Sequence, residues 1–412
     1  VLRAATKRSS RVVARLLFIS LPLRGHLDWG GMLDTAAALA ARGHAVAWAS
    51  GAAVEPTIAA AGVDFVELAA TGWQTLPPLA DDLPAAQRAA LRQRRALDAW
   101  LSPDAVLPAM QAVQRALDDW RPDALLVEPY AVAAALTAER AGLPLVVFGR
   151  PALPDGTALA NPAGQRAAEL CRLAGVSGAY WDLTAGQVRS PLLHIDFFSR
   201  RWYADLPAIA PQTRFVGAAP LASRPAPLDP PTVLVTLGSL FNRDPAFFRI
   251  AAEAVLLEGG QPLVATGAAG DPPPGLPAGV EVQPWVDFGQ TLPRLAGIIH
   301  HGGVGTTHAA LRHGLPQVVV PHAGDQQPQA GRVTQAGVGY GVAPASFTLP
   351  AARWLARQLL DNAALRQAAA AWQAELTALG GAPTAAAAIE SNSQAWRASV
   401  YRDERTNRGR TS

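Results

Sequence analysis

The sequence predicts an α/β protein made of two doubly wound, parallel-sheet domains facing one another across a cleft. Three observations carry that prediction. Apolar, strand-like runs alternate with helical patterns from Arg15 onward. A stretch dense in proline and small residues, "GAAPLASRPAPLDPP" at residues 217–231, breaks the alternation. Beyond it the same alternation restarts, as a second sheet with its own helices requires.

In the first half, "RLLFISL" reads as a buried strand. Residues 31–42 form a helix that Gly43 ends as a C-cap. "AVAWAS" is the next strand, "AVEPTIAAAG" a helix and "VDFVEL" a third strand. "RPDALLVEP", a helix over residues 131–141, and "LPLVVFG" repeat the unit. In the second half the strands are "TVLVTLG", "PLVATG", "VEVQPW", "GIIHHGG" and "PQVVVP", with a helix over residues 246–257 after the first. Helices from residue 350 to about 388 are expected to close the chain. The organisation expected is therefore a disordered basic extension (1–14), an N-terminal domain (15–216), a linker (217–231), a C-terminal domain with its closing helices (232–390) and a tail (391–412).

The chain has 412 residues, 50% of them apolar and 16% charged, which suits a globular protein with two cores. No apolar run approaches the roughly 20 residues of a membrane-spanning helix. The start, "VLRAATKRSSRVVAR", lacks the long apolar segment and small-residue cleavage site of a secretory signal. A single cysteine, Cys171, rules out an intrachain disulfide and a cysteine-based zinc site, so a reducing cytoplasm is the expected location. The net charge of +3 is small, and no arginine cluster interleaves with aromatics, so nucleic acid is not an expected partner. A peripheral membrane contact stays open.

Ligands of open α/β sheets bind beyond the carboxyl ends of the strands. Five motifs fall there: "PLRGHLDWGG" after the first strand, Glu128, Ser239, His301 and "HAGDQ". The turn "HHGGVGTT" runs into a helix whose first N–H groups are unpaired and carry the positive end of the helix dipole. Glycines let the backbone approach closely and Thr306 and Thr307 add hydroxyls, which suits a diphosphate. The pattern is neither a Walker loop nor "GxGxxG".

Here the chain resembles a family. "WVDF", "HHGGVGTTHAALRHGLPQVVVPHAGDQQPQAGRV", "GHLDWGGMLDTAAALAARGHAVAWASG" and "FVG" leading into "TLGSL" are similar to nucleotide-sugar-dependent glycosyltransferases of the UDP-glycosyltransferase superfamily. The resemblance covers residues 15–379 and implies the GT-B fold of two Rossmann-like domains. The double histidine and "GTT" are closest to the bacterial branch acting on natural products, together with sterol glucosyltransferases and rhamnosyltransferases. It implies that Trp285 stacks on the nucleotide base while the backbone of Val286 reads its edge. Ser239, His301, Gly303, Gly305 and Thr306 would contact the diphosphate, and Asp325 and Gln326 the hydroxyls of the donor sugar. His26 would be the catalytic base.

The chemistry agrees with these residue types. An acceptor hydroxyl needs an imidazole to take its proton as it attacks the anomeric carbon. A carboxylate behind the imidazole would fix its tautomer, and Glu128 is the candidate. The helix start would stabilise the departing diphosphate without a metal, and no "DxD" cluster is present. The expected activity is inverting transfer of a hexose from a UDP- or dTDP-sugar to a hydroxyl of a lipophilic small molecule (a natural product, sterol or lipid), with no cofactor beyond that co-substrate. A catalytically silent auxiliary protein and a sugar-nucleotide epimerase are the alternatives.

Several positions depart from the family pattern. Ala309 stands where many relatives have a glutamate for the ribose, which leaves UDP and dTDP both open. Asp287 and Phe288 replace a common proline and glutamine, and Glu128 replaces a more usual aspartate. Trp29 and Gly30 stand near a common proline, so the acceptor mouth is expected to be reshaped. Asp28 is the reserve base. His44 reads as structural, His300 as half-buried behind the turn, and His308 and His313 as lying along the helix without chemistry. Trp73, Trp100, Trp181 and Trp202 either line an acceptor pocket or pack in the core, with core the expectation for most.

Overall fold

The computed structural model describes residues 13–76, 85–157, 159–221, 225–239, 244–267, 272–323 and 326–393. The basic extension lies outside them up to residue 12, and the tail from residue 394.

The first domain carries strands β1 (Arg15–Ile19), β2 (Ala45–Ser50), β3 (Asp64–Glu67), β4 (Ala124–Val127), β5 (Leu145–Phe148), β6 (Trp181–Asp182), β7 (Gln187–Val188), β8 (Leu193–Asp196) and β9 (Thr213–Phe215). Seven form one sheet in the order β3-β2-β1-β4-β5-β8-β9, and every pairing in it is parallel. β6 and β7 form a separate antiparallel hairpin. Alternation along β1 shows why both faces are covered. Leu17 and Ile19 enter one apolar layer, under the helices Pro103–Trp120 and Val132–Ala141, and Leu16 and Phe18 enter the other, under Met32–Ala41.

The second domain carries β10 (Thr232–Thr236), β11 (Gln261–Ala265), β12 (Glu281–Gln283), β13 (Gly297–His300), β14 (Gln317–Val319) and β15 (Gly339–Gly341). They form a six-stranded sheet, β12-β11-β10-β13-β14-β15, again all parallel. Val233 and Val235 pack beneath the helices Pro245–Leu257 and Leu349–Asp361, and Leu234 packs on the opposite layer with Ala309 and Ala310.

Strand order reverses once in each sheet, and both reversals matter. In the first, β1 and β4 are neighbours, with Ile19 opposite Val127. The loop bearing His26 and the residue Glu128 therefore leave the sheet side by side. In the second, β10 and β13 are neighbours, with Thr236 opposite His300, so Ser239 and His301 emerge together. Each switch point opens a crevice at the carboxyl ends of its strands.

One expectation is corrected. The last helix, residues 382–393, does not close the C-terminal domain. Its stripe of Ala382, Ala385, Ala386 and Ile389 is buried, and the last three of these join the outer layer of the N-terminal domain beside Ala36 and Leu39. Glu390 accepts from Arg42 Nη1 at 2.9 Å and pairs with His44 Nε2 at 3.0 Å, which gives His44 the structural role read from sequence. Gly380 and Gly381, with φ of 89° and 64°, turn the chain back, and the Gly381 N–H donates to the Val216 carbonyl at 2.6 Å. A polypeptide period reveals an apolar stripe but not which domain it seats against.

Candidate active site

His26 sits on a four-residue helix, Gly25–Asp28, directly after the first strand's loop. Its Nδ1 lies 3.3 Å from Glu128 Oε2, a carboxylate with no solvent exposure. Glu128 is held from two further sides: the Leu21 N–H donates to Oε1 at 3.2 Å and the Tyr130 N–H to Oε2 at 3.1 Å. The buried carboxylate thus ties the β1 loop to the β4 loop and orients the imidazole. An imidazole that keeps its proton on Nδ1 presents Nε2 as a base. Asp28 does not share that face, because residues two apart on a helix point in different directions. It is surface-accessible yet ringed by protein. Desolvation by that surrounding mass, then repulsion from Asp34, raises its carboxyl to about 6 against the pull of Arg312.

The second half of the site begins at the end of β13. Helix Val304–Arg312 starts at Gly303 with no side-chain cap, which leaves its first N–H groups available. Thr307 is buried and donates its hydroxyl to the Gly303 carbonyl at 3.0 Å, while Thr306 is half-buried at the mouth. His301 lies under the turn: a β-carbon at Gly303 would fall 2.6 Å from its Nε2, and one at Gly238 2.7 Å from its Cε1. Only glycine allows this close packing. Burial, with help from His300 and His322, pushes the His301 imidazole down to about 3, so it acts as a neutral hydrogen-bonding group.

The two halves meet across the gap between the domains. A β-carbon at Gly25 would stand 3.5 Å from Ser239 Oγ, and one at Gly305 would stand 3.8 Å from the Gly25 carbonyl oxygen. His26 is the next residue, so its place in the chain is beside the helix start. Trp285 is 40% exposed, and the Arg24 guanidinium lies over its ring at 5.2 Å from the centroid. Val286 is partly buried against the apolar layer that holds Leu234 and Leu292. Asp287 explains its departure from the family pattern, because Oδ1 accepts from the Gln290 N–H at 3.1 Å and caps the short helix Phe288–Thr291. Gln326 is buried, and its Oε1 accepts from the His322 and Ala323 N–H groups at 2.7 and 3.0 Å. Its carbonyl end braces the loop. Asp325 lies outside the described residues.

The erythromycin biosynthesis protein CIII-like C-terminal domain family matches residues 263–389. The L-demethylnoviosyl transferase of Streptomyces niveus is 32% identical over 346 residues, covering 79% of this chain and 84% of the relative. The chain belongs to the natural-product branch of the UDP-glycosyltransferase superfamily. The 3-alpha-mycarosylerythronolide B desosaminyl transferase of Saccharopolyspora erythraea is 25% identical to this glycosyltransferase over 417 residues, covering 88% and 94% of the two chains. Among solved structures, the kitacinnamycin glycosyltransferase superposes with a TM-score of 0.72 at 23% identity over 92% of this chain and 99% of its own. A spinosyn rhamnosyltransferase solved with thymidine diphosphate reaches 0.66 at 22% identity over 92% and 99%. These likenesses show the GT-B fold.

Sequence reasoning missed two supports of the glycosyltransferase site. His300, read as half-buried, is fully enclosed: its Nδ1 accepts from the Gly302 N–H at 3.1 Å and its Nε2 meets Gln317 Oε1 at 3.0 Å, which braces the turn from behind. The second is Tyr130, which joins Trp29 and the pocket candidate Trp73 in a set of rings around His26. Trp29 and Tyr130 lie 5.3 and 5.5 Å from it, and Trp73 6.4 Å. Trp181 and Trp202 are core residues, Trp202 donating to Gln329 Oε1 at 3.1 Å. The glycines after Trp29 were the available signal, since they let an indole be placed where an ordinary backbone would not go. No helix among the described residues is long and apolar enough to cross a membrane.

Buried histidines give the glycosyltransferase an acid-sensitive core. Burial is the first cause that lowers His194, His301 and His308 to about 3 and His300 and His313 to about 4, from an ordinary 6.5. Below pH 6.5 the unfolded chain takes up these protons and the folded chain does not, so stability falls as pH falls. Asp196, raised by burial to about 6, works in the opposite direction, as does the more accessible Asp28. Five imidazoles outweigh two carboxyls. Calorimetry between pH 7 and pH 5 is expected to record a Tm lower by on the order of 10 °C at the acid end; a flat or rising Tm would contradict the neutral, buried imidazoles.

Proposed function

We propose that this glycosyltransferase moves a hexose from a UDP- or dTDP-sugar to a hydroxyl of a lipophilic small molecule, with inversion and without a metal ion. The observation that carries the reading is the meeting of two halves. His26, its imidazole backed by a buried carboxylate at 3.3 Å, follows Gly25, whose carbonyl oxygen lies beside Gly305 in the first turn of an uncapped helix. His26 Nε2 takes the proton of the acceptor hydroxyl while its oxygen forms a bond to the anomeric carbon, and the bond from that carbon to the diphosphate breaks. The charge arriving on the diphosphate is met by the backbone N–H groups of Gly303 to Thr306, the Thr306 and Ser239 hydroxyls and the neutral His301. A single displacement inverts the anomeric carbon, so an α-linked donor gives a β-glycoside. Trp285 carries the base, with Val286 at its edge, and Asp325 and the Gln326 amide hold the sugar hydroxyls. A spinosyn rhamnosyltransferase of the same fold holds thymidine diphosphate, which supports including dTDP donors.

A panel of UDP- and dTDP-sugars tests the reading, because a ligand of the native state raises its stability by mass action. The correct donor at about 100 times its Kd is expected to raise Tm by roughly 5 °C, and acceptor to trigger nucleotide release. A donor sugar altered in the absence of acceptor would mark an epimerase. A chain that binds no donor and stimulates a partner enzyme would mark the auxiliary protein.

A further inference from the structure

The wall beside His26 is built of rings. Tyr130 stacks on Trp29 with centroids 6.0 Å apart and planes 30° from parallel, and it meets the edge of Trp100 at 4.9 Å. Trp73 lies 6.4 Å from the imidazole. Trp73, Trp100 and Tyr130 are partly exposed, whereas Trp29 is buried behind them. The buried ring is locked by unusual backbone. Trp29 itself has φ 43°, in the left-handed region that side chains rarely adopt, and Gly30 and Gly31 follow at 95° and 155°. Its indole lies flat on Gly149, where a β-carbon would come within 2.6 Å of the ring. The indole N–H groups of Trp29 and Trp73 are buried and have no hydrogen-bond partner among the described residues. Strain of this kind persists where the surroundings over-determine it and gathers at ligand sites.

We propose that this wall selects a planar aromatic acceptor, a phenol whose ring lies against Tyr130 and Trp73 with its hydroxyl at His26 Nε2. The inference rests on the transfer reading above and names its acceptor class. Rigid π surfaces favour a flat π partner through offset and edge contacts, by an increment that area burial does not supply. A saturated ring of the same carbon skeleton is at least as apolar, so area alone predicts no preference for the aromatic one. Trp29 is a positioning residue that fixes the Tyr130 plane. In the step itself the phenol oxygen bonds to the anomeric carbon, the nucleoside diphosphate departs, and the phenolic proton passes to His26.

Calorimetry with 2-naphthol and decahydro-2-naphthol, in the presence of a saturating nucleoside diphosphate, tests the proposal. Both probes carry one hydroxyl on the same skeleton. The wild type is expected to bind 2-naphthol at least ten-fold more tightly. Tyr130→Leu and Trp73→Leu keep apolar contact but remove a ring, and each is expected to reduce the preference to three-fold or less. Affinity for the nucleoside diphosphate, measured in the same titrations, reports whether each variant retains its fold. Two half-buried positions are used so that one misfolded variant does not decide the matter. Equal wild-type affinities, or a preference that survives both substitutions, would overturn the aromatic seat. Failure of the transfer reading looks different: 2-naphthol binds with the expected preference, yet no donor and acceptor pair releases nucleotide.

Discussion

His26→Ala is expected to lower kcat by roughly 10²–10⁴-fold while leaving donor affinity within about two-fold. The imidazole stands on the N-terminal side of the gap, and the residues placed for the nucleotide stand on the other, so removing it takes away the base and little else. Glu128→Gln belongs in the same assay because it separates orientation from charge removal. Glu128 accepts three contacts, from the Leu21 N–H, the Tyr130 N–H and His26 Nδ1. A glutamine has one acceptor oxygen to offer. If it serves Leu21, the NH₂ faces His26 Nδ1 and holds the imidazole with its proton on Nε2, the wrong tautomer for a base. The expected result is a kcat lower by about 10²-fold with an unchanged KM for the donor. Turnover of either variant at the wild-type rate would remove the pair from the mechanism.

Gly305→Asp is expected to move two measurements in opposite directions. The position is in the first turn of the helix, and among the described residues an added β-carbon meets nothing closer than the Gly25 carbonyl oxygen at 3.8 Å. Replacing glycine inside a helix, and setting a carboxylate near the positive end of its dipole, both favour the folded state, together by about 1 kcal/mol. The same carboxylate occupies the space and the field offered to a diphosphate. Affinity for UDP or dTDP is therefore expected to fall by 100-fold or more while Tm holds or rises. Thr306→Ala removes one donor and is expected to cost about ten-fold in the same titration. An unchanged nucleotide affinity in Gly305→Asp would mean that the diphosphate lies elsewhere.

The match between sequence and structure is uneven in an instructive way. The turn at Gly302–Gly303 was legible because its chemistry is local: glycine, hydroxyl and helix start are neighbours in the chain, and spacing alone brings them together. The His26–Glu128 pair is separated by more than a hundred positions and was legible only through the rule that ligands gather at strand ends. That rule placed both residues at the same edge. It could not say that β1 and β4 are adjacent, and on that adjacency the 3.3 Å contact depends. The family resemblance implies a sugar-binding role for Gln326, yet the carbonyl half of its amide is spent on its own loop.

By itself, the order of apolar and polar residues determined the two parallel sheets, the break between them and the phosphate-like turn, since periodicity and glycine placement act over a few residues. Tertiary structure alone decided three things: that the final helix returns to the first domain, that His300 is enclosed behind the turn, and that Trp29, Trp73 and Tyr130 gather around His26 with Trp100 against Tyr130. The physical reason is the same in each case. An apolar stripe, a buried imidazole or an exposed tryptophan is indifferent to its partner until packing supplies one, and packing joins positions that the chain keeps far apart.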